Sequence, residues 1–194
     1  MQKLTYLLTI KLVLTSCGNI EDQALTETPL IAGEQSQAGV AYQSIGMNYL
    51  FSDVQSLNGL LSSKVDLDLD KDGQADLQFE LSTGINEDIQ MLMVRSQGTT
   101  LIPQQAKEHH AQVNQAGSIM EPNRSQWLNN EWLFLYYAQN SESWMAAPMV
   151  QQSGFLPIHI EGKEGWLEIQ VLMNAEQTQV WGLNVKQVAL KSLH

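Results

Sequence analysis

Carboxylate side chains recur at alternate positions in one short stretch of the chain, Asp68-Leu69-Asp70-Lys71-Asp72-Gly73-Gln74-Ala75-Asp76. Ca²⁺ takes about six to eight oxygen ligands at about 2.3–2.6 Å, and a tight loop turns alternate side chains toward one centre. Glycine permits the positive φ that such a sharp turn needs, and a backbone carbonyl after it adds an oxygen. The sequence therefore predicts a structural calcium site whose ligands are Asp68, Asp70, Asp72, Gln74 and Asp76.

The same stretch also fits an acidic β-hairpin turn, because Asp-Gly favours turns. Against that interpretation, four carboxylates held so close together would repel one another without a cation. The loop departs from an EF-hand, since position 12 is Phe79 instead of glutamate and the flanking residues alternate as strands do. It resembles the Asp-x-Asp-x-Asp-Gly-x-x-Asp loops of secreted β-proteins and of thrombospondin type 3 repeats, which implies a weakly bound structural ion.

Aromatic residues form a second group of candidates, because sugar-binding β-sandwiches use exposed tryptophans as stacking platforms. Trp166 is out of phase with Leu167, Ile169 and Val171, so we expect it on the exposed face of its strand. Trp144 and Trp127 are the other candidates for ligand stacking. Core packing is the alternative for all three.

Catalytic motifs are not recognisable in the sequence. It contains no His-Glu-x-x-His, Gly-x-Ser-x-Gly, phosphate-binding or dinucleotide-binding pattern. With 21 acidic residues, sequence alone cannot single out the carboxylate pair of a glycan hydrolase. We therefore expect a non-catalytic protein.

The elements that must position these residues are predicted to be short strands. Apolar residues alternate with polar ones in several runs, for example Val65 to Leu69, Leu77 to Leu81 and Leu156 to Ile160. Glycine and asparagine turn signals separate the runs. The prediction is an all-β fold, an antiparallel β-sandwich or jelly roll, with a short helix or a long polar loop near residues 104–117.

The N-terminus resembles that of a bacterial lipoprotein. A basic start and a short apolar run precede Leu14-Thr15-Ser16-Cys17, which resembles a lipobox, although Lys11 interrupts the apolar run. Cys17 is the only cysteine. The resemblance implies removal of residues 1–16 as a signal peptide and membrane attachment through two or three acyl chains, such as palmitate, on Cys17. Gly18, in place of the aspartate that favours the inner membrane, implies attachment to the outer membrane. The alternative to lipidation is a plain N-terminal strand or helix with a buried cysteine.

This division leaves residues 17–38 as a flexible tether and residues 39–194 as a single β-sandwich domain. Removing Lys3 and Lys11 with the signal leaves 8 basic residues against 21 acidic ones, so the formal charge changes from −11 to −13. A surface of that charge attracts cations and repels nucleic acid. No cysteine remains for a disulfide, so the core and a bound metal must stabilise the domain.

The chain also resembles a loose group of secreted bacterial proteins of unassigned activity. The matching pieces are Tyr42-Gln43-Ser44-Ile45, the loop from Asp66 to Phe79, and the run from Phe155 to Ile169 that contains Gly165-Trp166. The resemblance implies a calcium-bearing β-sandwich and no particular activity. The predicted function is thus a lipid-anchored envelope or surface protein. Its partner would be a glycan or an envelope protein, and the alternatives are a carbohydrate-binding accessory module and, less favoured, a glycan hydrolase.

Overall fold

A computed structural model describes residues 29–57, 59–84, 89–103, 110–120, 127–138, 143–145 and 153–192. These residues form strands joined by turns and contain no helix. The strands are β1 Leu30–Ile31, β2 Val40–Leu50, β3 Gln55–Leu57, β4 Leu60–Leu67, β5 Leu77–Gly84, β6 Ile89–Ser96, β7 Ile102–Pro103, β8 Ile119–Met120, β9 Trp127–Leu128, β10 Glu131–Ala138, β11 Ser143–Met145, β12 Gly154–Ile160, β13 Lys163–Met173 and β14 Val180–Ser192. The all-β prediction is confirmed.

Two antiparallel sheets face each other. The six-stranded sheet has the order β11-β10-β6-β5-β4-β3, and the four-stranded sheet has the order β12-β13-β14-β2. Two small two-stranded sheets, β1-β8 and β7-β9, complete the pairing. Successive strands are mostly neighbours because short turns join antiparallel strands directly.

The main core lies between the two large sheets. Alternate residues of each strand point inward, so Val65 and Leu67 of β4 meet residues of the opposite sheet such as Ile169 and Val185. Phe79 and Phe134 pack edge to face with their ring centroids 5.3 Å apart. This continuous apolar layer is the arrangement expected of a β-sandwich.

A second apolar cluster covers the outer face of the four-stranded sheet. It contains Leu30 and Ala32 from the N-terminal segment, Met120 of β8, and Phe155 and Trp166 from the sheet itself. β1 reaches this face by pairing with β8. The ordered domain therefore begins before residue 39, and the predicted boundary between tether and domain moves toward the N-terminus.

The segment predicted as a short helix or long polar loop is described only from residue 110 onward; residues 104–109 lie outside the described residues. Residues 110–117 form a loop that bridges to neighbouring strands at His110, Ala111 and Asn114. No helix in the described ranges is long and apolar enough to cross a membrane.

Candidate metal centre

The aspartate loop connects β4 to β5 at one end of the six-stranded sheet. Leu69 continues the inward phase of β4 and is 2% exposed, so it anchors the loop in the core. Asp68 and Asp70, on either side of Leu69, are thereby turned away from the core. The backbone N–H of Asp76 donates to the Leu67 carbonyl at 2.8 Å, which closes the loop at the ends of the two strands.

Backbone N–H groups hold the loop carboxylates in place. Asp68 accepts from Lys71 N at 2.7 Å through Oδ1 and from Gly73 N at 2.9 Å through Oδ2. Asp70 Oδ1 accepts from Asp72 N at 3.0 Å. Gly73 has φ of 90°, the left-handed conformation expected from its place in the sequence. A carboxylate has about four lone-pair sites, so these bonds leave oxygen lone pairs for a cation.

Asp76 is the buried member of the group, with 8% of its surface exposed. Its Oδ2 accepts from Leu69 N at 2.7 Å, and its Oδ1 accepts from the Thr100 hydroxyl at 3.0 Å. Burial raises the pKa of Asp76 above its ordinary value, and the charge of Asp70 adds to that rise. The hydrogen bonds from Leu69 and Thr100 act in the opposite direction without cancelling it.

Three of the predicted ligands converge. Carboxylate oxygens of Asp68, Asp70 and Asp76 all lie within 4.8 Å of one another. Ligands about 2.4 Å from one calcium ion lie no more than about twice that distance apart, so the spacing fits a single ion. The donors are oxygen atoms only, which suits hard cations better than zinc or copper.

A second trio shares Asp70 with the first. Oxygens of Asp70, Asp72 and Glu161 also lie within 4.8 Å of one another. Glu161 belongs to the β12–β13 turn of the four-stranded sheet, where its φ is 48°. A cleft of about 380 Å³ lies between the aspartate loop and the β12–β13 turn. Gln74, the remaining predicted ligand, lines this cleft.

Sequence reasoning missed two residues of this region, Thr100 and Glu161. Thr100 follows β6 in a turn where Gln97 N donates to the Asp76 carbonyl at 2.8 Å and Thr100 N donates to the Gln97 carbonyl at 2.9 Å. Glu161 is remote from the loop in sequence and lies only within the run from Phe155 to Ile169 that carries the resemblance. Neither position carries a local signal, because both depend on how the strands are arranged.

Of the three tryptophans predicted for ligand stacking, the structure describes the side chains of Trp166 and Trp127. Trp166 is fully buried, with 0% exposure, so the expectation that it is exposed is wrong. It does face away from Leu167, but the second apolar cluster covers that face, and the Phe155 ring packs edge-on to Trp166 at 5.1 Å. Trp127 is half-buried beside His159, with ring centroids 6.1 Å apart. The Trp144 side chain lies outside the described part of the structure.

Cys17 and the predicted signal peptide also lie outside the described residues. Comparisons with protein-family models, with curated proteins and with solved structures find no match to the chain. The lipobox and the calcium-loop resemblances therefore stay predictions from the sequence, and the geometry of the loop is the structural observation that bears on function.

Proposed function

We propose that the chain is a calcium-stabilised β-sandwich lipoprotein of the bacterial cell envelope with a non-catalytic role. The observation that carries the metal part of this proposal is the convergence of the Asp68, Asp70 and Asp76 carboxylates. One of the three is buried, so the charge lies where solvent screens it poorly.

Calcium is favoured over other cations by the chemistry of the loop. The candidate donors are carboxylates together with the Gln74 carbonyl, and calcium accepts such oxygen sets in flexible geometry. Magnesium demands near-ideal octahedral geometry and gives up its waters reluctantly. The net charge of −13 on residues 17–194 further raises the local concentration of divalent cations.

The proposed ion would stabilise the fold by neutralising the Asp76 carboxylate. Without a cation, burial and the neighbouring Asp70 raise the pKa of Asp76, which means that folding disfavours its ionised form. A bound cation would reverse this effect by pairing with the charged carboxylate. The ion would thereby hold the β4–β5 loop against the turn that contains Thr100.

The envelope location rests on the N-terminal sequence. Attachment through acyl chains on Cys17 would keep the domain at a membrane, because two or more chains give stable anchoring. Gly18 favours the outer membrane over the inner one in this proposal. A glycan or another envelope protein is the expected partner.

The glycan-binding alternative weakens with the burial of Trp166, because a ring that solvent cannot reach cannot stack on a sugar. Trp127 is half-buried. For the glycan hydrolase alternative, the carboxylate clusters found among the described residues are the two trios that the metal proposal already uses. The calcium-stabilised lipoprotein is therefore the better-supported proposal.

Thermal unfolding with and without calcium tests the metal site. At a calcium concentration about 100-fold above Kd, binding adds about 2.7 kcal/mol to the free energy of unfolding. For a domain of this size that corresponds to a rise in Tm of about 5–10 °C. We expect this rise in the wild-type protein and its loss in Asp70→Asn, since Asp70 belongs to both carboxylate trios.

Asp66→Asn is the matched control. Asp66 lies one alternate position before the loop and accepts a hydrogen bond from Gln78 Nε2 at 2.8 Å, outside both trios. Its replacement removes the same charge and should leave the calcium response intact. Magnesium should raise Tm less than calcium at equal concentration. A wild-type Tm that ignores calcium, or an equal rise in Asp70→Asn, would exclude the site.

A further inference from the structure

A cavity of about 220 Å³, partly open to solvent beside the exposed Val54, lies between the two large sheets at the end of the β4–β5 hairpin opposite the aspartate loop. Residues of β4, β5 and β6 form one wall, and Val180 at the start of β14 forms part of the other. Phe51 and Val54, which follow β2, border it as well. It is therefore independent of the candidate metal centre.

At this cavity, the inward face of the six-stranded sheet carries polar side chains instead of apolar ones. Ser63 is in phase with the core residue Val65 on β4, and Gln90 is in phase with Leu92 on β6. Thr83 pairs directly with Gln90 across β5 and β6. Polar side chains thus replace apolar ones on three adjacent strands, although burial alone would favour apolar residues there.

The hydroxyl of Ser63 is the most informative of these groups. Ser63 is 4% exposed, and its Oγ has no hydrogen-bond partner among the residues that the structure describes. Gln90 is 3% exposed, and its Oε1 accepts from Val180 N at 3.0 Å, so the side chain is held in one orientation. Buried polar groups are nearly always hydrogen-bonded, and an unpaired hydroxyl therefore calls for a partner.

We infer that this inter-sheet cavity binds a small neutral molecule with an apolar body and a hydroxyl or carbonyl group. The polar group would pair with Ser63 Oγ, and Leu61, Leu81 and Val180 would contact the apolar body. None of the described residues that line the cavity is charged, and burying an unpaired charge there is costly, which excludes ions. An apolar cavity of about 150 Å³ accommodates benzene, so the larger volume here has room for a ring with a polar substituent.

The test uses benzyl alcohol as the probe and toluene as its analogue without a hydroxyl. In an NMR titration of the purified protein, benzyl alcohol should shift the amide signals of Leu61, Leu81 and Val180 in a saturable manner. Ser63→Ala should weaken benzyl alcohol binding about fivefold, the effect of losing one hydrogen bond, and leave the toluene affinity unchanged. Ser56→Ala, at an exposed serine of β3, is the control and should bind both probes as the wild type does.

Three results would overturn the inference. The first is the absence of saturable shifts at the lining residues with either probe. The second is binding of benzyl alcohol to Ser63→Ala as tight as to the wild type. The third is a Tm of ligand-free Ser63→Ala clearly below that of Ser56→Ala, because the hydroxyl would then already have a partner in the folded protein. The expected ligand-free Tm of Ser63→Ala equals or exceeds the wild-type value.

Discussion

Asp76 differs from the other loop carboxylates because it is buried and held by groups on two separate segments. Leu69 N comes from its own loop, and the Thr100 hydroxyl comes from the turn after β6. Asp68 and Asp72, by contrast, accept from N–H groups of the loop itself. Asp68 and Asp72 therefore shape the turn, whereas Asp76 ties it to the rest of the domain.

Thr100→Val should destabilise the protein by about 1–3 kcal/mol, because it leaves a buried oxygen of Asp76 without a donor while keeping the side-chain shape. Urea unfolding without calcium measures the effect. Thr99→Val is the matched control, since Thr99 is exposed and adjacent. Equal stabilities of the two variants would contradict a structural role for the Thr100–Asp76 hydrogen bond.

Glu80 gives the fold a pH dependence that is separate from the candidate metal centre. Burial acts to raise the pKa of Glu80, but the Ser62 hydroxyl and the Lys64 ammonium, 3.2 Å away, together hold it below its usual value of 4.5. Because the folded pKa lies below the unfolded one, ionised Glu80 stabilises the protein above the unfolded pKa. This contribution is lost as the pH falls through the folded value.

Glu80→Gln should therefore lower Tm at pH 7, and its difference from the wild type should shrink as the pH falls below the ordinary glutamate pKa of 4.5. Thermal unfolding across this range measures the trend. Asp53→Asn, at an exposed position, controls for the loss of one negative charge. A Glu80→Gln difference that stays constant with pH would mean that the ion pair adds nothing to stability.

At the scale of elements, alternation in the sequence predicted where strands run but not where they are interrupted. Trp181 alternates with Leu183 and Val185 in the sequence, a pattern that predicts an inward side chain, yet it is 45% exposed. The β13–β14 register shifts between Leu172 and Met173, opposite Trp181, and the shift turns this side chain outward. Bulges depend on the partner strand, so one sequence read alone does not reveal them.

The cover on the outer face of the four-stranded sheet also depends on contacts between residues that are distant in sequence. The phase of Trp166 was read correctly, but its environment depends on Leu30, Ala32 and Met120, which are far away in sequence. The apolar triplet Leu30-Ile31-Ala32 was a local signal for this cover and was assigned to the tether. The acidic cluster of the loop could be recognised because its carboxylates lie within nine consecutive residues, whereas Glu161 and Thr100 are distant from the loop in sequence.

Gly165 of β13 lies close against the backbone of β14. A Cβ at this position would lie 1.8 Å from the carbonyl oxygen of Ala189, a backbone atom that cannot move aside cheaply. Gly165→Ala should therefore destabilise the domain by about 3 kcal/mol or more, as measured by urea unfolding. Gly162→Ala is the comparison, because φ of 74° strains alanine there but no atom lies within 4 Å. A larger loss for Gly162→Ala would contradict the close approach.

For the whole molecule, the structure places two different features at opposite ends of one sandwich. The acidic loop lies at one end of the β4–β5 hairpin, and the inter-sheet cavity lies at the other. A cation that stiffens the first end need not alter the second, since the strands between them form a continuous core. Calcium should thus raise Tm without changing benzyl alcohol affinity.

The proposed membrane attachment of the whole molecule depends on Cys17. Cys17→Ser should release the protein from the membrane fraction, because the thiol that would carry the proposed acyl chains is lost. Fractionation of cells that express each form, followed by immunoblotting, measures the distribution. Lys11→Leu, which restores an unbroken apolar run, is the comparison and should remain in the membrane fraction. Retention of Cys17→Ser at the membrane would reject the lipobox.

The pairing of β1 with β8 limits how far the sandwich can stand from an anchor at Cys17. A tether to residue 38 would reach about 75 Å when fully extended, whereas the thirteen residues from Cys17 to Leu30 reach only about 45 Å. If Cys17 is lipidated as proposed, the sandwich lies close to the lipid surface, and a partner of this domain must approach the membrane within about 45 Å.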